Sequence, residues 1–163
     1  MIPHTWSARV RAADSGALAV LVGTGSFLVG PQLTFQDDPS PGVARDSQDL
    51  RDPPAPPTAL QYVLGAFAAD VLGGFRAAAE RRRVQLDDVE FAVSCRLNNP
   101  LVFLGVVGEA GHAGIEEITG TLYASADLDR QVLDELWSET LARSPLVSTF
   151  RSAVKLSLQL KVV

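Results

Sequence analysis

The sequence predicts an α+β domain on three observations. Apolar and polar residues alternate in segments near both ends of the chain, the mark of strands with one buried face. A proline-free run of helix formers extends from Thr58 to Val84, and a second helical stretch near the C terminus leads into a last alternating segment. At 163 residues the chain is sized for one core, so a single domain over residues 1–163 is expected.

The first strands lie between Thr5 and Gly30, where "TWSARVRA", "ALAVLVGT" and "SFLVG" are separated by the turn signals "ADSG" and "TGS". They read as a three-strand meander. The close glycines of "GTGSFLVG" do not make a dinucleotide fingerprint, because Leu28 stands where the third glycine belongs and no long helix follows. Residues 36–57 hold six of the ten prolines together with five aspartates, the composition of a long exposed loop.

In the helix from Thr58 to Val84, Leu60, Val63, Leu64, Phe67, Val71 and Phe75 form one apolar stripe. Ala66, Ala69, Gly73 and Gly74 leave the neighbouring faces small and non-polar as well. Such a helix calls for burial nearly all round and close approach by a second helix, so an intertwined homodimer is expected. Arg81, Arg82 and Arg83 read as cations that complement the negative end of the helix, in preference to a phosphate-binding patch. Asp70 is the anomaly, a lone carboxylate amid "LGAFAADVLGGF". A buried acid costs several kcal/mol unless it is paired, hydrogen-bonded or protonated.

"DDVEFAVSCRL" then alternates strictly and puts Cys95 on the apolar side with Val89, Phe91, Val93 and Leu97. "NNPLVFLGVVGEAGHAG" reads as a tucked connection, with His112 in its glycine-rich tail. "IEEITGTLYASADL" is another strand. "DLDRQVLDELWSETLAR" is a helix opened by an aspartate cap, with Val132, Leu133, Leu136, Trp137 and Leu141 inward. Ser144 before Pro145 has the form of an N-cap followed by proline at the first helical position. "AVKLSLQLKVV" closes the chain as a strand with one wet face.

Net charge −5 offers no general attraction to nucleic acid or anionic membrane, so neither is expected as a partner. No apolar run approaches the roughly 18 residues of a membrane span, and "MIPHTWSARV" lacks a leader's basic-then-apolar pattern; the expected location is cytoplasmic. Cys95 is the single cysteine, which excludes an intrachain disulfide and a multi-cysteine zinc site. Two histidines, His4 and His112, leave little for a metal cluster, and no cofactor is expected.

"PPTALQYVLGAFAADVLGGFRAAAERRRVQLDDVEFAVSCRLNNP" resembles the "P-x-x-x-L/E-Y-L-L-x-A-L-A-x-C" helix and following strand of the OsmC/Ohr family, the osmotically inducible and organic hydroperoxide resistance proteins. "RSPLVSTFRSAVKLSLQL" is similar to that family's Cys-Pro-Val-Ser turn and final strand. The order of elements agrees across nearly the whole chain. The resemblance implies an intertwined α+β dimer whose sheets wrap two central helices. It also implies reduction of organic hydroperoxides by a reactive cysteine on the central helix and a resolving cysteine in the Cys-Pro turn, with a helper glutamate and arginine. By position the two cysteines fall on Asp70 and Ser144, the glutamate on Gln61, and the arginine on Arg9 or Arg11.

A thiolate must attack the O–O bond, become a sulfenic acid and condense with a second thiol; a carboxylate and a hydroxyl cannot pass through that cycle. The expectation is a degenerate site on an intact stress-response scaffold. Asp70 and Ser144 should meet through a hydroxyl-to-carboxylate hydrogen bond. Three uses of that cluster stay open: a filled-in site with no ligand, a pocket for a small hydrophobic ligand walled by Phe67, Phe75 and Phe103, or residual catalysis through Cys95 or a rebuilt Asp70/Ser144 site.

Overall fold

A computed structural model describes residues 8–12, 18–22, 25–29, 56–125 and 129–163. The meander's turns at 13–17 and 23–24, His4, and nearly all of the Pro/Asp-rich stretch lie outside the described residues. The chain divides into two compact units, Met1–Val63 and Leu64–Val163.

The first unit carries the meander: β1 (Ala8–Ala12), β2 (Leu18–Val22) and β3 (Gly25–Val29), antiparallel in the order β1-β2-β3. Val10 pairs with Val20 and Val20 with Phe27, which puts these three on one face. The Phe27 ring lies 4.8 Å from that of Tyr62 in the first turns of α1 (Ala59–Arg81), and the Tyr62 hydroxyl donates to the Leu28 carbonyl. The helix starts on a capping box. Gln61 Oε1 accepts from the Thr58 backbone N–H at 2.8 Å, while the Gln61 N–H reaches back to Thr58 Oγ1 at 3.4 Å.

In the second unit β4 (Asp88–Leu97) pairs antiparallel with β5 (Ile115–Ser125), and β6 (Lys155–Val162) joins β5 in parallel. A parallel neighbour requires a crossover, and α3 (Arg130–Arg143) with α4 (Pro145–Arg151) supplies it. The register places Phe91, Leu122 and Leu160 side by side on the core face; Arg96, Glu117 and Lys155 form a salt-bridged row on the other. Gly120 leaves room for Phe91, since a Cβ there would stand 2.4 Å from the Phe91 ring.

α1 packs Phe67, Val71, Phe75 and Ala78, all fully buried, among Ile118, Leu122, Leu133, Leu136 and Val147. Its burial is one-sided. Val63, Ala66, Ala69 and Gly73 are exposed, while within the second unit the sheet of β4, β5 and β6 with α3 and α4 packs on the face of Phe67, Val71 and Phe75. The expected absence of a membrane-length segment needs correction: α1 is long and apolar enough to cross a membrane by length and composition. Asp70 and Arg76 are the only charges from Ala59 to Arg76. The core helix of a soluble protein meets the same description.

The connection between β4 and β5 contains a helical turn, α2 (Pro100–Phe103), capped by the Asn99 side chain. Asn99 Nδ2 also donates to Glu109 Oε2 and to the Ala110 carbonyl, which fixes the returning chain.

Candidate functional site

Asp70 and Ser144 meet. Ser144 ends α3 and starts α4: its backbone N–H donates to the Thr140 carbonyl at 3.0 Å, and its extended backbone turns the chain into Pro145. Its Oγ accepts the Val147 N–H at 2.9 Å, which caps α4. The hydroxyl hydrogen is then free, and it goes to Asp70 Oδ2 across 74 residues of sequence. Ser144 is 5% exposed and Asp70 is half-buried, so this bond is partly shielded from water and offsets part of the cost of placing a carboxylate on an apolar helix. The hydrogen goes to a carboxylate and not to an imidazole, which leaves no Ser–His pair at this serine. His112 is exposed on the β4–β5 connection, where its Nδ1 accepts the Gly114 N–H.

A hollow of about 260 Å³ opens beside the pair. It is lined from α1 by the small residues Gly73, Gly74 and Ala77 with Arg81, and from α3 and α4 by Thr140, Arg143 and Pro145. A Cβ at Gly74 would stand 3.4 Å from the Thr140 methyl, an ordinary contact distance, so α1 and α3 approach closely here.

The arginines are tied to α3. Arg81 Nη2 lies 3.0 Å from Glu139 Oε1, Arg82 bridges Glu135 at 2.9 Å and Glu139 at 3.0 Å, and Arg143 Nε lies 3.3 Å from Glu139 Oε1. The hydrogen bond from Arg81, with that from Arg82, holds the Glu139 carboxyl below its ordinary range. Sequence reasoning treated Arg81 to Arg83 only as partners of the helix dipole and passed over Thr140, Glu139 and Arg143. The available signal was the four-residue spacing of Glu135, Glu139 and Arg143, which places them on one face of α3.

The remaining expected site residues divide between the two units. Gln61 serves the capping box of α1 in the first unit. Arg9 is exposed on β1, and the side chain of Arg11 lies outside what is described. Phe67 and Phe75 are fully buried core residues, and Phe103 is half-buried at the end of α2; none of the three lines the hollow. Its polar and small-residue wall differs from the aromatic enclosure expected of these rings, because the α1 positions turned toward Ser144 are Asp70, Gly73, Gly74 and Ala77. Cys95 is half-buried against the core, and burial pushes its thiol pKa up, away from the reactive thiolate. Among the described residues, no group of three or more His, Cys, Asp or Glu side chains is arranged to hold a metal ion.

Comparisons with known proteins bear on the fold. The chain resembles an OsmC-like protein from Mycoplasma pneumoniae with TM-score 0.73 at 12% identity, covering 99% of both chains. An organic hydroperoxide resistance protein OsmC from Legionella pneumophila gives TM-score 0.62 at 15% identity, over 99% of this chain and 100% of that one. The organic hydroperoxide resistance protein OhrB of Bacillus subtilis gives 0.54 at 19% identity, over 97% and 98%. No curated protein matches in sequence. The family model for OsmC-like protein matches residues 53–159, from the end of the proline-rich stretch into β6. The chain belongs to the OsmC-like protein family.

Proposed function

We propose that this protein is a non-redox member of its family, working as a homodimer, in which Asp70 and Ser144 hold the place of a redox cysteine pair and serve structure and ligand binding. The observation that carries this reading is the Ser144 hydroxyl donated to Asp70. Two side chains in contact at the family's reactive positions are both oxygen groups, and peroxide reduction by the family's cysteine pair needs sulfur at both: one thiolate to take the outer oxygen, a second thiol to release it as water and close the disulfide. The one cysteine per chain lies on a strand, and burial disfavours its thiolate.

The homodimer rests on the exposed face of α1 N-terminal to the hollow, where Val63, Ala66 and Ala69 would receive a second copy of the same helix. Sedimentation at micromolar concentration should give twice the chain mass of 17.4 kDa.

The activity test uses tert-butyl hydroperoxide and a dithiol reductant. No protein-dependent peroxide loss is expected; turnover abolished by Cys95→Ser would overturn the proposal and install Cys95 as the reactive group.

A further inference from the structure

We infer that the hollow beside Asp70 binds a small organic acid that also carries a hydrogen-bond donor, an amino acid or hydroxy acid, with its carboxylate at Arg81 and Arg143 and its donor at Asp70. This rests on the non-redox reading, since it uses the same carboxylate as a binding group. Asp70, Gly73, Gly74, Ala77 and Arg81 follow one another along one face of α1, so acid and cation stand at opposite ends of a trough floored by small residues.

The two ends are suited to opposite charges. Arg143 meets Glu139 through Nε and Arg81 through a single Nη2 contact, so each guanidinium keeps donors beyond those used in its pair. Glu139, the shared partner, holds both forks beside the hollow, and planar forks suit a carboxylate. At the other end Ser144 takes Oδ2 of Asp70 and has spent its only hydrogen in doing so. The acceptor capacity left on Asp70 calls for an N–H or O–H donor from the occupant. A volume of about 260 Å³ admits a metabolite of small size and is below the range of drug-sized pockets.

The test titrates the full-length protein with L-serine, 4-aminobutanoate and 6-aminohexanoate, a series that lengthens the distance between ammonium and carboxylate. Butanoate, butylamine and inorganic phosphate are the controls. The readout is the amide ¹H–¹⁵N shift of Gly73 and Gly74. At least one of the three amino acids should bind saturably and about tenfold or more tighter than any control. Arg143→Gln, at an exposed position, should weaken that binding about tenfold, and Asp70→Asn should erase the preference over butanoate. No saturable shift with any of the three amino acids, equal binding of butanoate, tighter binding of phosphate, or indifference to Arg143→Gln would overturn the inference. Peroxide turnover would sink the non-redox reading instead, whatever the titration gives.

Discussion

Replacing Ser144 with alanine removes one oxygen that serves two hydrogen bonds, and both losses can be sized. The N-cap of α4, Val147 N–H to Ser144 Oγ, is worth about 1 kcal/mol. Withdrawing the donor from Asp70 adds about 1–3 kcal/mol for a half-buried carboxylate that loses its partner, and the lower half applies because Asp70 is not fully enclosed. The sum is about 2–3 kcal/mol, or a fall in melting temperature of about 5–10 °C for a chain of this size. Urea unfolding of the wild type, Ser144→Ala, Asp70→Ala and the double variant gives the cycle that isolates the pair, and a coupling of about 1 kcal/mol is expected. A Ser144→Ala loss under about 0.5 kcal/mol, or zero coupling, would refute the account of this bond.

Gly120→Ala should cost about 1–3 kcal/mol, read by the same urea midpoint, because the added methyl meets the Phe91 ring at 2.4 Å and Leu158 at 3.0 Å. An unchanged midpoint would mean the ring moves freely. Acid should destabilise the α1–α3 clamp: the Glu139 carboxyl is held below its ordinary value of 4.5, so its contribution is present above that pH and lost as pH falls through the lower folded value. Glu139→Gln should flatten the fall in melting temperature below pH 4.5, and an identical slope in the variant would contradict this. Cys95 should react with iodoacetamide more slowly than a free thiol near neutral pH, accelerating only at alkaline pH, since burial raises its pKa. Rapid alkylation at pH 7 would refute its placement.

The long helix was legible because local signals agree over many residues: Thr58 and Gln61 spell a capping box, helix formers follow without proline, and Phe67, Val71 and Phe75 recur at helical spacing. Asp129 and Ser144 announced the starts of α3 and α4 in the same local way. The contact between Asp70 and Ser144 has no local signature, being 74 residues apart, and was reached through the resemblance to a family in which those positions meet. The pairing of Glu139 with Arg81, Arg82 and Arg143 was missed because charge on a helix surface says nothing about which neighbouring helix it faces. Periodicity tells that Phe67 and Phe75 turn inward, but not that the hollow beside Asp70 is lined by other positions of α1, Gly73, Gly74 and Ala77.

The most direct test of the claim that oxygen has replaced sulfur at the family's reactive positions is the initial rate of cumene hydroperoxide loss with purified protein and excess dithiol. A rate equal to the protein-free blank, unchanged in Cys95→Ser, is the predicted result. A protein-dependent rate that saturates with peroxide would contradict it.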